Sequence, residues 1–423
     1  MLLDPLVIVR TVHFAACTVA MGTLLLALLI RGAARGGPAV RAELERSFRG
    51  LALAALAVAG VSGAAWLALI ARNILDVPFA EVFDDGGLAA VALDTRFGRI
   101  ACLRLGLALA AGALVLWKGP GWPALGAATA LIGSIALTGH AGAGAGTGAT
   151  GLIHMFADVI HLVSTGAWLG ALPALAWLLW RSRAEPAWGP LAADVTRRFG
   201  RLALMAVAAL LASGIVNTAI LVGWLADPFA TTYARTFALK IATFVVMLVL
   251  AAFNRFRLTP ALPAPNAARA LAGTALGETA LGLGILLLVG LLGTQPPAGH
   301  VHTSAAAINR EAAHVHIHTS QAMADLIIDP GRAGATTATV QIWHEDYRPF
   351  AADRVRLTLE PAASDVPALT REAEPAAEGT WVVNALRIQS SGEWVVRIAI
   401  ERSGTAFTLE GTVVLAQCSN DCW

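Results

Sequence analysis

Three polar residues follow one another at helical spacing inside an otherwise apolar stretch of this 423-residue chain. His154, Asp158 and His161 stand at positions i, i+4 and i+7, which places them on one face of an α-helix. Neutral imidazole binds copper, zinc and haem iron, and a carboxylate can bind the metal or fix the tautomer of a neighbouring histidine. The spacing therefore predicts a metal site on this helix, with hydrogen bonding between helices as the alternative.

A second group of histidines lies near the other end of the chain. His314, His316 and His318 alternate with apolar residues, so a β-strand would place the three imidazoles on one face. Three such ligands within a few ångströms form a moderately specific metal motif, and a polar, solvent-facing strand is the alternative. His344 is a further candidate ligand.

The composition indicates which solvent surrounds each group. The chain is 57% hydrophobic and only 14% charged, whereas soluble domains carry about 25% charged residues. Residues 1–295 carry 21 Lys and Arg against 13 Asp and Glu, and residues 296–423 carry 9 against 15. We therefore predict a membrane domain over 1–295 and a soluble domain over 296–423. This composition excludes an ordinary cytosolic enzyme, and a net charge of +2 argues against nucleic acid as a partner.

The apolar segments predict the number of membrane crossings and their direction. A crossing helix takes roughly 20 apolar residues, and eight segments qualify: about 5–30, 50–72, 98–117, 122–140, 151–180, 201–224, 236–256 and 271–293. The loops on one side contain fourteen Lys and Arg residues and the alternate loops only two, a strong positive-inside bias. We expect an all-α bundle of eight transmembrane helices in a bacterial cytoplasmic (inner) membrane, with both termini in the periplasm.

This topology places five candidate ligands in the outer half of the membrane. His13 lies about eight residues into the first helix, a depth of roughly 12 Å, and His140 ends the fourth helix on the same side. Ionisable groups at this depth are costly and usually face the interior of a bundle. We therefore expect His13, His140, His154, Asp158 and His161 to form one metal site.

Other polar residues of the membrane domain are assigned lesser roles. Glu278, in the inner half of the last helix, is a candidate for a proton or ion path, and Asn217 for a bridge between helices. Arg10, Arg104 and Lys240 are expected to extend toward the membrane surface. Cys17 is expected to be a small core residue, as is Cys102.

The C-terminal domain is predicted to be an all-β sandwich, immunoglobulin-like or cupredoxin-like. Seven short strands are rich in Val, Ile, Thr and Trp: His314–His318, Met323–Ile328, Ala338–Trp343, Val355–Leu359, Trp381–Ile388, Trp394–Ile400 and Phe407–Leu415. Cys418 and Cys422 follow the last strand, and we expect either a disulfide or a two-thiolate metal site there.

The chain contains no Walker A sequence, no Asp-Lys-Thr-Gly phosphorylation motif and no intramembrane Cys-Pro-Cys. ATP is therefore not expected as a partner, and no enzyme activity is predicted apart from redox activity if the protein binds haem.

Several sequence elements resemble the CopD-type family of copper resistance membrane proteins. They are Val-Arg-Thr-Val-His-Phe around His13, the Thr138–Ala141 element, and the stretch from His154 through Trp168-Leu169-Gly170. The resemblance covers roughly residues 1–295. It implies a role in copper uptake or handling across the cytoplasmic membrane, often together with a small periplasmic copper-binding β-domain. In this chain that domain would be the C-terminal one.

Three functional hypotheses follow. In the first, the C-terminal histidines capture copper, and the outer-half site binds or transports it, with Cu(II) favoured over Cu(I) because thiolate ligands are scarce. A periplasmic copper chaperone is then a possible partner, beside the lipid bilayer. In the second, His13 and His161 on facing helices bind the iron of haem b in an electron-transfer or oxidase-type subunit. In the third, the protein is a metal sensor or chaperone without transport.

Overall fold

The computed structural model describes residues 4–32, 37–75, 77–84, 86–138, 148–221, 232–262, 264–294, 312–319, 322–344, 349–361, 367–377, 379–402 and 404–416. The chain divides into two compact units, Met1–Gly299 and His300–Trp423. His140, Cys418 and Cys422, with the expectations attached to them, lie outside the described residues.

The first unit is α-helical. Its helices are α1 (Pro5–Arg31), α2 (Pro38–Leu75), α3 (Gly87–Asp94), α4 (Arg96–Lys118), α5 (Trp122–Gly133), α6 (Gly148–Trp168), α7 (Leu172–Ala184), α8 (Gly189–Leu221), α9 (Thr232–Phe253) and α10 (Pro265–Leu292). Short 3₁₀ turns extend α5 over Ser134–Thr138 and join α6 to α7 over Leu169–Ala171. A π-helical turn, Asn254–Leu258, follows α9.

Seven of the described helical segments are long and apolar enough to cross a membrane. An eighth, Trp122–Thr138, is apolar but shorter, at roughly 25 Å by helical rise. These segments correspond to the eight predicted from hydropathy, so a mostly helical membrane unit is confirmed, whereas the count of eight crossings stays a prediction. The short helix α3 was not predicted.

The predicted segment 151–180 is a broken helix. The α-helix ends at Trp168, continues as the 3₁₀ turn and begins again at Leu172. Pro173 lies in the first turn of α7, where a backbone N–H would have no partner within the helix, so its absence costs no hydrogen bond. At this break, the backbone comes into contact with α1. A β-carbon built on Gly22 would lie 2.0 Å from the carbonyl carbon of Gly170, and one built on Gly170 would lie 1.9 Å from the carbonyl oxygen of Thr18. Only glycine permits this approach.

The second unit contains an eight-stranded antiparallel sheet. Its strands are hydrogen-bonded in the order β1-β2-β3-β6-β5-β4-β7-β8. The strands are β1 (Ala313–His318), β2 (Met323–Asp329), β3 (Gly334–Trp343), β4 (Arg354–Pro361), β5 (Leu369–Ala377), β6 (Thr380–Ile388), β7 (Gly392–Arg402) and β8 (Thr405–Leu415). Alternate residues of β3 and β7 are buried and build an apolar core around Trp394 and Val340. The expected antiparallel β-domain is confirmed, and its immunoglobulin or cupredoxin type stays a prediction.

β5 is the strand that the sequence did not predict. Its sequence, Leu-Thr-Arg-Glu-Ala-Glu-Pro-Ala-Ala, is polar and contains a proline, both of which argue against a strand. It forms because β4 and β6 pair with it on either side, and the register shifts at Pro375/Ala377.

His314 forms an ion pair on the polar face of β1. Its Nε2 atom lies 3.3 Å from Oδ1 of Asp325 on β2, and this hydrogen bond raises the pKa of the His314 imidazole above its ordinary value near 6.5. On the opposite face, Ile317 is buried and lies against Gly411 of β8. The apolar face thus anchors the strand, as its alternation predicts.

This contact gives the β-unit a pH-dependent stability. Because the folded-state pKa is raised, the stabilisation is fully present below pH 6.5 and is lost as the pH rises through the folded-state value. The side chain is half exposed, so we expect a contribution below about 1 kcal/mol. Thermal unfolding of metal-free wild type and of His314→Ala should show a difference at pH 5.5 that shrinks by pH 8.5. A difference that grows with pH would contradict this assignment.

Two histidine clusters in the membrane unit

His13 lies in the interior of the helical unit, against α2. It is 1% exposed, and its Nδ1 atom lies 3.0 Å from the backbone oxygen of Ala59 and 3.3 Å from Oγ of Ser62. A carbonyl oxygen only accepts, so Nδ1 carries the proton and donates. The Nε2 lone pair is therefore available to a metal or to another donor.

Cys17 lies where that lone pair points. Its Sγ atom is 3.7 Å from Nε2 of His13, one helical turn away on α1. The residue is fully buried, as expected of a core cysteine, but it also forms a nitrogen–sulfur ligand pair that the sequence analysis did not consider. The signal was present in the i, i+4 spacing of His13 and Cys17.

A buried guanidinium stands beside this pair. Arg104 is 3% exposed, so the expectation that it extends to the membrane surface was wrong. Its Nη2 atom donates to Oγ1 of Thr138 at 2.7 Å, and its guanidinium lies 4.8 Å from the centre of the Trp66 ring. Contact with an aromatic face and one hydroxyl lets the charge stay inside. We call His13, Cys17, Ser62, Trp66 and Arg104 the His13 cluster.

His161 is held in the same way by a different helix. Its Nδ1 atom lies 3.2 Å from Oγ of Ser213 on α8. The Ser213 hydroxyl donates to the backbone oxygen of Ala209 at 2.7 Å, so its oxygen accepts the Nδ1 proton. Once again Nε2 keeps the lone pair.

Acceptor atoms collect beside His161. Asn217 Nδ2 donates to Oδ1 of Asp158 at 3.3 Å, which confirms Asn217 as a bridge between helices. The Oδ1 atom of Asn217 is buried without a hydrogen-bond partner. The Lys240 ammonium of α9 interacts electrostatically with both Asp158 and His161. We call Asp158, His161, Ser213, Asn217 and Lys240 the His161 cluster.

The two clusters repeat one arrangement. Each imidazole lies on a serine–glycine pair of a neighbouring helix: a β-carbon on Gly63 would lie 3.1 Å from Cε1 of His13, and one on Gly214 would lie 3.4 Å from Cε1 of His161. Each histidine also stands nine residues before the glycine at which α1 meets the α6–α7 break, Gly22 or Gly170. The Ser-Gly dipeptides are a signal that the sequence analysis missed.

The predicted topology would also give the clusters one depth. His13 lies eight residues after the start of α1, Ser213 eight before the end of α8, and Lys240 eight after the start of α9. If all eight predicted segments cross the membrane, these three ends lie on one side, and the depth is roughly 12 Å.

The candidate residues are not gathered into one group. His13 contacts α2, whereas His161 contacts α8, and among the described residues no three His, Cys, Asp or Glu side chains lie close enough together to share a metal ion. His154 is buried on α6.

The histidines of the β-unit have defined neighbours in two cases. The structure places His314 beside Asp325, and the side chains of His316 and His318 lie outside the described part of the chain. His344 Nε2 lies 3.4 Å from Nη1 of Arg402, and a metal ion would have to displace this donor from the Nε2 lone pair.

Two family models match the membrane unit. One describes the copper resistance protein D-like N-terminal domain and covers residues 1–152, and the other describes copper resistance protein D and covers residues 193–292. Neither extends into the β-unit. No solved structure matches the chain.

Three curated proteins are similar to this chain. Inner membrane protein YebZ of Escherichia coli is 28% identical over 291 residues, 68% of this chain and 97% of that protein. Copper resistance protein D of Pseudomonas syringae is 32% identical over 184 residues, 40% of this chain and 59% of the relative. Copper transport protein CutJ of Bacillus subtilis is 32% identical over 139 residues, 33% of this chain and 25% of the relative.

The first family model covers the whole His13 cluster, and the second covers Ser213, Asn217 and Lys240 of the His161 cluster. Asp158 and His161 lie between the two matched ranges. Together the two models match more than half of the chain, residues 1–152 and 193–292, and the chain therefore belongs to the copper resistance protein D family of membrane proteins.

Proposed function

We propose that this protein binds copper at the two histidine clusters and carries it across the bacterial inner membrane, receiving it from the periplasmic side. The observation that carries the proposal is the repeated arrangement of histidine and serine. In each cluster a serine or carbonyl oxygen accepts a hydrogen bond from Nδ1 of the histidine. The Nε2 lone pair is then available to bind a metal. This is how proteins orient imidazoles that bind metals.

The His161 cluster is the stronger of the two for a cation. Asp158, Asn217 and Nε2 of His161 offer lone pairs, and Asn217 Oδ1 is a buried acceptor with no donor in the structure. A metal ion would satisfy that oxygen and replace the electrostatic contact with Lys240. Nitrogen and oxygen ligands suit Cu(II).

The His13 cluster offers different chemistry. Nε2 of His13 and Sγ of Cys17 are 3.7 Å apart, and nitrogen with thiolate sulfur is a ligand pair suited to Cu(I). The Arg104 guanidinium would balance the thiolate charge. The donor atoms of the His13 cluster therefore suit Cu(I), whereas those of the His161 cluster suit Cu(II).

The C-terminal unit would act as a periplasmic copper-capturing domain through His314, His316 and His318. This role is supported by the alternation of the three histidines on β1 and by Asp325, which is paired opposite His316. Copper binding would compete with the contact between His314 and Asp325.

One purified full-length sample tests the proposal. We expect elemental analysis to find copper and the visible spectrum, before and after dithionite, to lack a Soret band. Electron paramagnetic resonance should show Cu(II) with nitrogen ligands, and loading with Cu(I) should not produce this signal. Stoichiometric iron with a Soret band that shifts on reduction would show that the protein binds haem, and would contradict the copper proposal.

Copper movement is tested separately in sealed vesicles. Vesicles containing the wild-type protein should accumulate copper faster than vesicles containing the doubly substituted protein His13→Ala, His161→Ala. Equal rates for the two proteins, with copper bound in the wild type, would leave a sensor or chaperone as the function.

A further inference from the structure

A carboxyl group is buried away from both histidine clusters. Glu278 lies near the middle of α10 and is 2% exposed. A β-carbon on Gly282, one turn further along α10, would lie 2.1 Å from the side chain of Leu169, so Glu278 lies one turn from the break between α6 and α7. By chain direction, it is on the far side of that break from His161.

Asn254 is the hydrogen-bond partner of this carboxyl group. Its Nδ2 atom donates to Oε1 of Glu278, and the residue is 7% exposed. Its own Oδ1 atom is buried with no hydrogen-bond partner. The pair is thus a closed polar site with one unsatisfied acceptor.

The backbone at Asn254 departs from the α-helix. The π-helical turn Asn254–Leu258 begins at this residue, and Oγ1 of Thr259 donates to its backbone oxygen at 2.9 Å. Single π-helical turns inside apolar helices occur frequently at functional sites. Here the turn holds the Asn254 amide against α10, where Gly277 contacts Leu250 of α9.

No cation neutralises Glu278 within the described residues. Within the described residues, the hydrogen bond of Glu278 is to Asn254, and its carboxyl group has no hydrogen bond or ion pair to these titratable groups on α1, α7, α9 and the π-helical turn, which contact α10: Arg10, His13, Cys17, Arg31, Arg181, Arg183, Tyr233, Lys240, Arg255 and Arg257. On α10 itself the other such group is Arg269, more than two turns away. An isolated carboxylate in the membrane interior is costly, so such groups bind a proton or a cation.

We propose that Glu278 is a proton-binding site inside the membrane unit and that Asn254 is its positioning residue. Binding forms an O–H bond on one carboxyl oxygen and removes the carboxylate charge. Release returns the proton to water or buffer and restores the charge. One such group lets the bundle exchange a monovalent cation for a proton without leaving a net charge in the membrane. That use rests on the proposed copper function, whereas proton binding itself does not.

Infrared spectroscopy of the metal-free protein in lipid nanodiscs tests the proposal. We expect a carbonyl stretch from a protonated carboxylic acid in the wild type, and its loss in Glu278→Gln. Incorporation of ¹³C-glutamate into the wild type should move the band to lower frequency. The label distinguishes glutamate from Asp158, the aspartate of the His161 cluster, and the loss in Glu278→Gln assigns the band to Glu278.

Two further variants complete the test. Asn254→Leu should move the carbonyl band to higher frequency, because the carboxyl group loses its hydrogen bond, while Glu45→Gln, in an exposed ion pair with Arg31, should leave it unchanged. The proposal is overturned if, at every pH at which circular dichroism shows the protein folded, no band that responds to ¹³C-glutamate is lost in Glu278→Gln. An unchanged band in Asn254→Leu would remove the role given to Asn254. Neither result depends on copper.

Discussion

Substitution of His161 by alanine is expected to lower the copper affinity of the membrane unit by more than about 100-fold, beyond the range for loss of an outer-shell partner. The imidazole supplies the Nε2 lone pair that the Ser213 contact leaves free, and alanine offers no ligand in its place. Copper content after dialysis and competition with a chelator of known affinity would measure the loss.

Substitution of Ser213 separates the effect of losing the ligand, His161, from the effect of losing the residue that orients it. Ser213→Ala keeps the imidazole but removes the oxygen that fixes its tautomer, so we expect an affinity loss of roughly 10- to 100-fold, with copper still bound at saturation. Thr218→Val is the matched control on the same helix, since the Thr218 hydroxyl donates only to the backbone oxygen of Gly214. An effect of Thr218→Val equal to that of Ser213→Ala would show that the changes act through the packing of α8.

Gly22→Val is expected to prevent stable folding of the membrane unit. A β-carbon at this position would lie 2.0 Å from the Gly170 carbonyl carbon and 2.2 Å from the Ala171 nitrogen. Backbone atoms cannot move aside as a flexible side chain can, so the destabilisation should reach about 3 kcal/mol or more, the upper end for overpacked cores. Size-exclusion chromatography in detergent should show loss of the monodisperse peak, and thermal unfolding of any remaining folded protein should shift downward.

Gly60→Ala provides the control for this substitution. Gly60 lies in α2 with nothing within 4 Å of an added β-carbon, and alanine is the better helix former. We expect this variant to be as stable as the wild type or slightly more stable. If Gly22→Val were also tolerated, α1 and the α6–α7 break would not be in the close contact described above.

The membrane segments could be predicted because hydropathy alone decides them. The break inside segment 151–180 was accessible too, since Gly170 and Pro173 stand where the helix stops and restarts, but the length of the apolar run concealed it. β5 could not be predicted in the same way. Its residues have weak strand propensity, and the strand forms because β4 and β6 pair with it on either side.

The candidate site was predictable only along single helices. The spacing of His154, Asp158 and His161 placed them on one face, and Asn217 was recognised as a bridging residue. Which helix that face contacts depends on packing between segments, which spacing does not contain. For this reason, the expectation of one shared site combined His13 with His161, whereas each of them contacts a serine on a different helix.

The contacts of α1 also determine the order in which its polar groups are sheltered during synthesis. A chain made from its N-terminus inserts α1 first, and the partners of His13 lie only 46 and 49 residues later, on α2. The imidazole can thus leave the lipid as soon as the first two helices pair. The contact between Gly22 and Gly170 forms only after α6 has been synthesised. The hydrogen bond from the Arg10 guanidinium to the carbonyl of Gly293, 283 residues downstream, forms later still. A ribosome that stalls before the last helix would therefore leave a folded hairpin in which the Arg10 guanidinium has the Trp66 ring of α2 beside it but lacks its backbone acceptor.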